Sequence, residues 1–77
     1  MYRRIRDLRE DKDWTQKEVA AFLNCSQQVY SNYELGQRDI PTQILLALAA
    51  LHKTSVDFLL GNTDDSRPYP KSRIRRL

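Results

Sequence analysis

The chain has 77 residues, with 13 lysines and arginines against 10 aspartates and glutamates, for a net charge of +3. That length makes one domain, and a chain so short buries only roughly 60% of its unfolded surface, so modest stability is expected. Its 2 glycines, 3 prolines and single cysteine, with no long alternating β-branched run, argue against a sheet protein and exclude an internal disulfide; the expected class is all-α, in a reducing cytoplasm.

In chain order, Tyr2, Ile5, Leu8 and Arg9 fall on one stripe and predict a first helix to about Asp11. The basic start, Met1 to Arg6, is followed by no apolar run, so neither a signal peptide nor a membrane span is expected. Asp11-Lys12-Asp13 reads as a turn, with Trp14 folding back as a core plug. Thr15-Gln16-Lys17-Glu18 has the spacing of a capping box, in which Thr15 and Glu18 satisfy each other's amides. Val19, Ala20 and Leu23 then face a core, and Asn24 tolerates the left-handed conformation that ends a helix. Ser26 suits the N-cap of a third helix, Gln27 to Leu35, which Gly36 closes. Tyr30 and Tyr33 share one face of it; Gln27, Gln28, Ser31 and Asn32 share another. After the loop 37–40, Pro41 fits the first turn of a fourth helix with the stripe Ile44, Leu45, Leu48 and Leu51. His52-Lys53-Thr54 is a turn with a solvated histidine, and Ser55 caps a fifth helix, Val56 to Leu60, closed by Gly61.

Beyond Gly61 the apolar period stops, and Pro68 and Pro70 forbid a helix through the middle of the remainder. The expected organisation is a compact five-helix domain over 1–61 and an extended basic tail over 62–77. Charge is divided in the same way. Residues 1–61 hold eight basic and eight acidic side chains, whereas 62–77 hold five basic and two acidic. The globular part therefore cannot hold a polyanion by bulk charge, and must place its few cations well or borrow the tail.

The segment from Trp14 to Gly36 resembles the DNA-binding domain of the phage repressor/Cro type, the XRE-like helix-turn-helix. Thr15-Gln16, Glu18, Ala20, Leu23-Asn24-Cys25-Ser26 and Glu34-x-Gly36 carry the resemblance together, and it extends from about Ile5 to Gly61. Asn24 stands where the family usually has glycine, Tyr30 and Tyr33 where aliphatic residues are commoner, and Leu35 where a polar residue is frequent. The resemblance implies a lambda-repressor-like bundle that binds double-stranded operator DNA through helix three. It further implies binding to palindromes as a homodimer.

Gln27, Gln28, Asn32 and Ser31 are the base-reading candidates. A glutamine or asparagine presents a donor and an acceptor together, as the adenine edge in the major groove requires, and the start of the second helix of such a motif enters that groove. Val29 is a candidate for contact with a thymine methyl. The competing reading is a merely solvated polar face. Gln16 is similar to the glutamine that in this family contacts a phosphate and braces the recognition helix. Arg38, Lys17 and Asn24 are further phosphate candidates, which would position the protein without reading sequence; a solvated loop arginine is the alternative for Arg38. Arg9 and Glu34 resemble a semi-buried ion pair that ties helices one and three together, a structural role. Cys25 is expected to be a buried structural thiol. Tyr30 is expected in the core, with a phosphate contact through its hydroxyl as a minor alternative.

Phe22, Leu46 and Phe58 fall off the apolar stripes; a patch shared by Leu46 and Phe58 would make a two-fold dimer contact. The tail arginines and lysine, Arg67, Lys71, Arg73, Arg75 and Arg76, have three readings: phosphate contacts, packing or partner docking around Tyr69, and a solubilising tail.

No phosphate loop, metal-ligand spacing or nucleophile–base pair is present, so no enzyme, metal or cofactor is expected. The favoured function is a cytoplasmic, sequence-specific transcriptional regulator acting as a repressor, since a chain with no room for a sensor domain works by occupying an operator. The alternative is an interaction module, antitoxin-like or accessory, that binds a protein through helices four and five or the tail. RNA binding lacks a stacking platform.

Overall fold

Capping chemistry sets most of the helix ends. The computed structural model describes residues 2–68, and its helices are α1 (Arg3–Asp11), α2 (Gln16–Leu23), α3 (Gln27–Leu35), α4 (Thr42–Leu51) and α5 (Val56–Leu59). The Glu18 amide donates to Thr15 Oγ1 at 3.0 Å and the Thr15 amide to Glu18 Oε1 at 2.8 Å, completing the capping box of α2. Asn24 ends that helix at φ 59°, ψ 42°. The turn is closed by the Cys25 amide donating to the Ala20 carbonyl at 3.0 Å. Two residues on, Ser26 Oγ accepts from the Val29 amide at 3.1 Å and starts α3. At the far end Gly36 takes φ 75°, and the Gln37 amide donates to the Asn32 carbonyl at 3.0 Å. The positive φ there is what a glycine allows without a Cβ clash.

Two helix ends differ from expectation by one residue. Pro41 stands at the cap of α4 rather than inside its first turn: its extended backbone (φ −59°, ψ 149°) directs its carbonyl to the Ile44 and Leu45 amides. α5 closes at Leu59, with Leu60 and then Gly61 (φ 80°) leading the chain away.

All five helices contribute to one core. Ile5, Val19, Ala20, Leu23, Tyr30, Tyr33, Leu48, Ala49 and Leu59 are buried, with Trp14, Cys25, Val29, Ile44 and Leu51 among the partly buried side chains packed against them. Each fully buried aliphatic side chain is worth about 1.5–3 kcal/mol relative to exposure. α2 and α3 pack together most extensively, and α1, α4 and α5 complete the support behind them.

Several side chains are placed otherwise than the sequence suggests. His52 is not solvated but 6% exposed, at the end of α4 beneath Trp14, with the two rings 5.8 Å apart. Its Nδ1 lies 3.3 Å from Lys12 Nζ, and its Nε2 has no hydrogen-bond partner. A ring that accepts from lysine carries its proton on the other nitrogen, so that N–H is the orphan. Burial, and then the Lys12 charge, lower the His52 pKa from 6.5 to about 4. Phe58 is half-buried under the Arg4 guanidinium, 4.2 Å from the ring centre; Phe22 and Leu46 remain exposed.

Arg4 also joins the start of the domain to the segment beyond α5. Its Nη1 donates to the Phe58 carbonyl at 3.2 Å and to the Thr63 carbonyl, and its Nη2 to Asp64 at 2.7 Å. Asp65 and Arg67 form a local pair at 2.9 Å. Met1 and residues 69–77, hence the expectations for Tyr69, Lys71, Arg73, Arg75 and Arg76, lie outside the described residues.

Candidate nucleic-acid interface

The candidate interface rests on a buried electrostatic knot. Arg9 on α1 donates from Nε to Glu34 Oε2 at 2.7 Å and from Nη2 to Glu34 Oε1 at 3.2 Å, a bidentate pair. Its Nη1 donates to the Trp14 carbonyl at 2.9 Å, so the same guanidinium also fixes the α1–α2 turn. Gln16, the first residue of α2, donates from Nε2 to Glu34 Oε1 at 3.1 Å. The Arg9 and Glu34 side chains are only 12% and 3% exposed. Burial alone would raise the Glu34 carboxyl, but the hydrogen bonds led by Arg9 outweigh it and hold the group below its ordinary value, as an anion. The Arg9 guanidinium is correspondingly raised, chiefly by its hydrogen bond to Glu34.

Tyr30 seals the knot from below. It is fully buried, so its hydroxyl is not at the surface, where the alternative of a phosphate contact required it, and it makes no hydrogen bond of good geometry. Burial first, and the adjacent Glu34 carboxylate second, push its phenol far upward, so it stays neutral. One carboxylate thus gathers α1, α2 and α3 and sets how α3 sits on the domain.

The opposite face of α3 carries the amides and the hydroxyl. Gln27 and Gln28 are exposed in its first turn, while Ser31 and Asn32, a turn further on, are half-buried. Among these, Gln28 Nε2 donates to Asn32 Oδ1 at 3.2 Å; Gln27 has no side-chain hydrogen bond among the described residues. The i, i+4 spacing of Gln28 and Asn32 is the sequence signal for that bond. Val29 turns inward and packs on the core.

The phosphate candidates are less uniform. Lys17 and Arg38 are exposed, on α2 and on the loop after α3, and Asn24 is exposed in the turn between the two helices. Gln16 is half-buried and already engaged with Glu34, which leaves its carbonyl oxygen and second N–H for other partners. Cys25 is half-buried, and burial raises its thiol, which disfavours the reactive thiolate. Among the described residues no His, Cys, Asp or Glu cluster could hold a metal ion, and no helix is long and apolar enough to cross a membrane.

Two helices joined by the Asn24–Cys25 turn, the second locked by its inner face and bearing polar side chains on its outer one, form a helix-turn-helix. The chain belongs to the helix-turn-helix family, of the XRE-like type: the family model described as "Helix-turn-helix" matches residues 5–59. It is similar to the HTH-type transcriptional regulator ImmR of Bacillus subtilis (strain 168), 40% identical over 65 residues that cover 84% of this chain and 51% of ImmR. It is 35% identical over 74 residues to the uncharacterized HTH-type transcriptional regulator YobD of the same strain, covering 96% of this chain and 64% of YobD. The HTH-type transcriptional regulator AnsR of that strain is 32% identical over 69 residues, 90% of this chain and 60% of AnsR. The chain thus spans between half and two-thirds of the length of these relatives. No solved structure matches it.

Proposed function

We propose that this protein is a sequence-specific transcriptional regulator that binds double-stranded DNA with α3 in the major groove and acts as a repressor by occupying its operator. One observation carries the reading: the outer face of a helix fixed by a buried ion pair presents four uncharged polar groups, Gln27, Gln28, Ser31 and Asn32. Uncharged amides gain little from phosphates compared with base edges, where paired donors and acceptors distinguish adenine. Gln16, Lys17, Asn24 and Arg38 surround that face and supply the backbone contacts that set register. Binding as a homodimer to a two-fold operator, with half-sites roughly 34 Å apart, belongs to the same proposal. So does its setting in the cytoplasm, on the nucleoid. So too does the division into a DNA-binding domain over 1–61 and a basic tail over 62–77, with Arg4 holding Thr63 and Asp64 to the edge of the domain.

The test is selection of bound duplexes from a random library, at two salt concentrations, with the wild type and with Gln27→Ala/Gln28→Ala. The expected result is an enriched two-fold motif that disappears in the double variant. Weak, salt-sensitive binding without a motif, unchanged in the variant, would refute base reading by α3. It would turn attention to protein partners instead.

A further inference from the structure

We infer that Asn32 does not read DNA itself but acts through Gln28, as a positioning residue that makes Gln28 selective for adenine. The inference rests on base reading by Gln28 and adds a division of labour within that face.

Gln28 and Asn32 lie one turn apart on α3, with Gln28 Nε2 donating to Asn32 Oδ1 at 3.2 Å. The two ends of this contact differ in freedom. Glutamine has three side-chain torsions and Gln28 is exposed; asparagine has two and Asn32 is half-buried. The Asn32 backbone is also pinned, because its carbonyl accepts the amides of both Gly36 and Gln37 at the end of α3. The first turn, which bears Gln28, is held by the Ser26 cap. The hydrogen bond therefore runs from a longer, exposed side chain to a shorter, half-buried one, and restricts the longer one.

Its direction has a chemical consequence. A primary amide has two N–H donors and one carbonyl acceptor. One N–H of Gln28 is engaged by Asn32, which leaves the other beside the free carbonyl oxygen. That is the donor–acceptor pair needed for the N7 and N6 edge of adenine. Rotated by half a turn with Asn32 unmoved, the amide would set its oxygen against the Asn32 oxygen and lose the bond, so both amides must turn together to restore it. Asn32 thereby selects one face of the Gln28 amide before DNA arrives. Gln27 has no such bond among the described residues and stays adaptable.

The experiment measures binding of the full chain to its selected operator and to every single-base variant of one half-site. It compares wild type, Gln28→Ala, Asn32→Ala and Asn32→Asp, each first checked for an unchanged melting midpoint. Gln28→Ala identifies the base pair it reads. Asn32→Ala is expected to weaken adenine preference at that base pair roughly two- to tenfold, the range for releasing one rotamer-rich side chain. It should leave preferences elsewhere unchanged and be silent in the Gln28→Ala background. Asn32→Asp keeps the acceptor: its added charge lowers affinity for all sequences alike, while the adenine preference persists. Loss of preference at a different base pair in Asn32→Ala would overturn the inference and make Asn32 a direct reader. An unchanged profile in Asn32→Ala, or loss of preference in Asn32→Asp, would overturn it as well. If Gln28→Ala alters no base preference, base reading by Gln28 fails, and the positioning role falls with it.

Discussion

On its inner side α3 carries Tyr30, Tyr33 and Glu34; on its outer side it carries Gln27, Gln28, Ser31 and Asn32. The inner charge is met by two bonds from Arg9 and one from Gln16, whereas the outer amides share a single internal bond. The difference separates two tasks that one helix of nine residues must perform. The inner side fixes an orientation and tolerates no unpaired charge, because a buried charge without its partner is strongly destabilising. The outer side needs free hydrogen-bonding capacity, which water satisfies until another partner replaces it.

If this division is right, substitutions on the two sides should separate stability from recognition. The largest effect is expected from Glu34→Gln, which leaves Arg9 without its counter-ion and should lower stability by about 3–5 kcal/mol in denaturant titration. Replacing Arg9 and Glu34 together with apolar residues should recover much of that loss. An unchanged midpoint in Glu34→Gln would break the comparison at its inner side.

Gln27→Ala should do the reverse. Thermal melting should be unaffected, while discrimination at the base pair it faces falls by about 1–3 kcal/mol in competition binding. A substantial loss of melting temperature would show that the outer face also supports the fold.

Acid sharpens the comparison without mutation. The folded pKa of His52 is lowered from 6.5 to about 4, so its unfolded form takes up a proton first. Its contribution to stability is complete above pH 6.5 and is lost progressively as the pH falls toward 4. Glu34 acts in the same sense at lower pH, since its carboxyl lies below its ordinary value and its contribution disappears as pH falls through the folded value. The histidine part should amount to about 3 kcal/mol at most. His52→Leu should flatten the stability profile between pH 6.5 and 4, and an undiminished slope in that variant would place the titration elsewhere.

Ser26 belongs to both sides, because it caps the turn that presents Gln27 and Gln28. Ser26→Ala should cost about 1 kcal/mol of stability and weaken specific binding, with hydrogen exchange rising first at the Val29 amide.

Local chemistry makes much of this readable from the sequence. The capping box of Thr15 and Glu18, the left-handed Asn24, the Ser26 cap and Gly36 each depend on neighbours within a few residues, and they delimit α2 and α3. The polar face of α3 follows from helical spacing alone. The features that escape such a reading depend on distant partners. Arg4 finds its acceptors 54 to 60 residues away, and two of them are backbone carbonyls that no residue type announces. His52 reads as a turn residue because only the return of the α1–α2 turn, with Lys12 and Trp14, buries it. The Gln16–Glu34 bond gives Gln16 a particular partner on α3, which spacing does not disclose.

Arg4 also has a bearing on the order in which the chain assembles. Its contacts close loops of nearly the whole domain, and closure entropy grows with loop length. The short-range helix-turn-helix can form early, whereas the clasp must wait until residue 64 is present. During synthesis, α1 would then remain unclasped after α2 and α3 have met. In stopped-flow experiments, Arg4→Ala is expected to accelerate unfolding and leave the refolding rate almost unchanged. Equal slowing of refolding would mean that the two ends of the domain meet first.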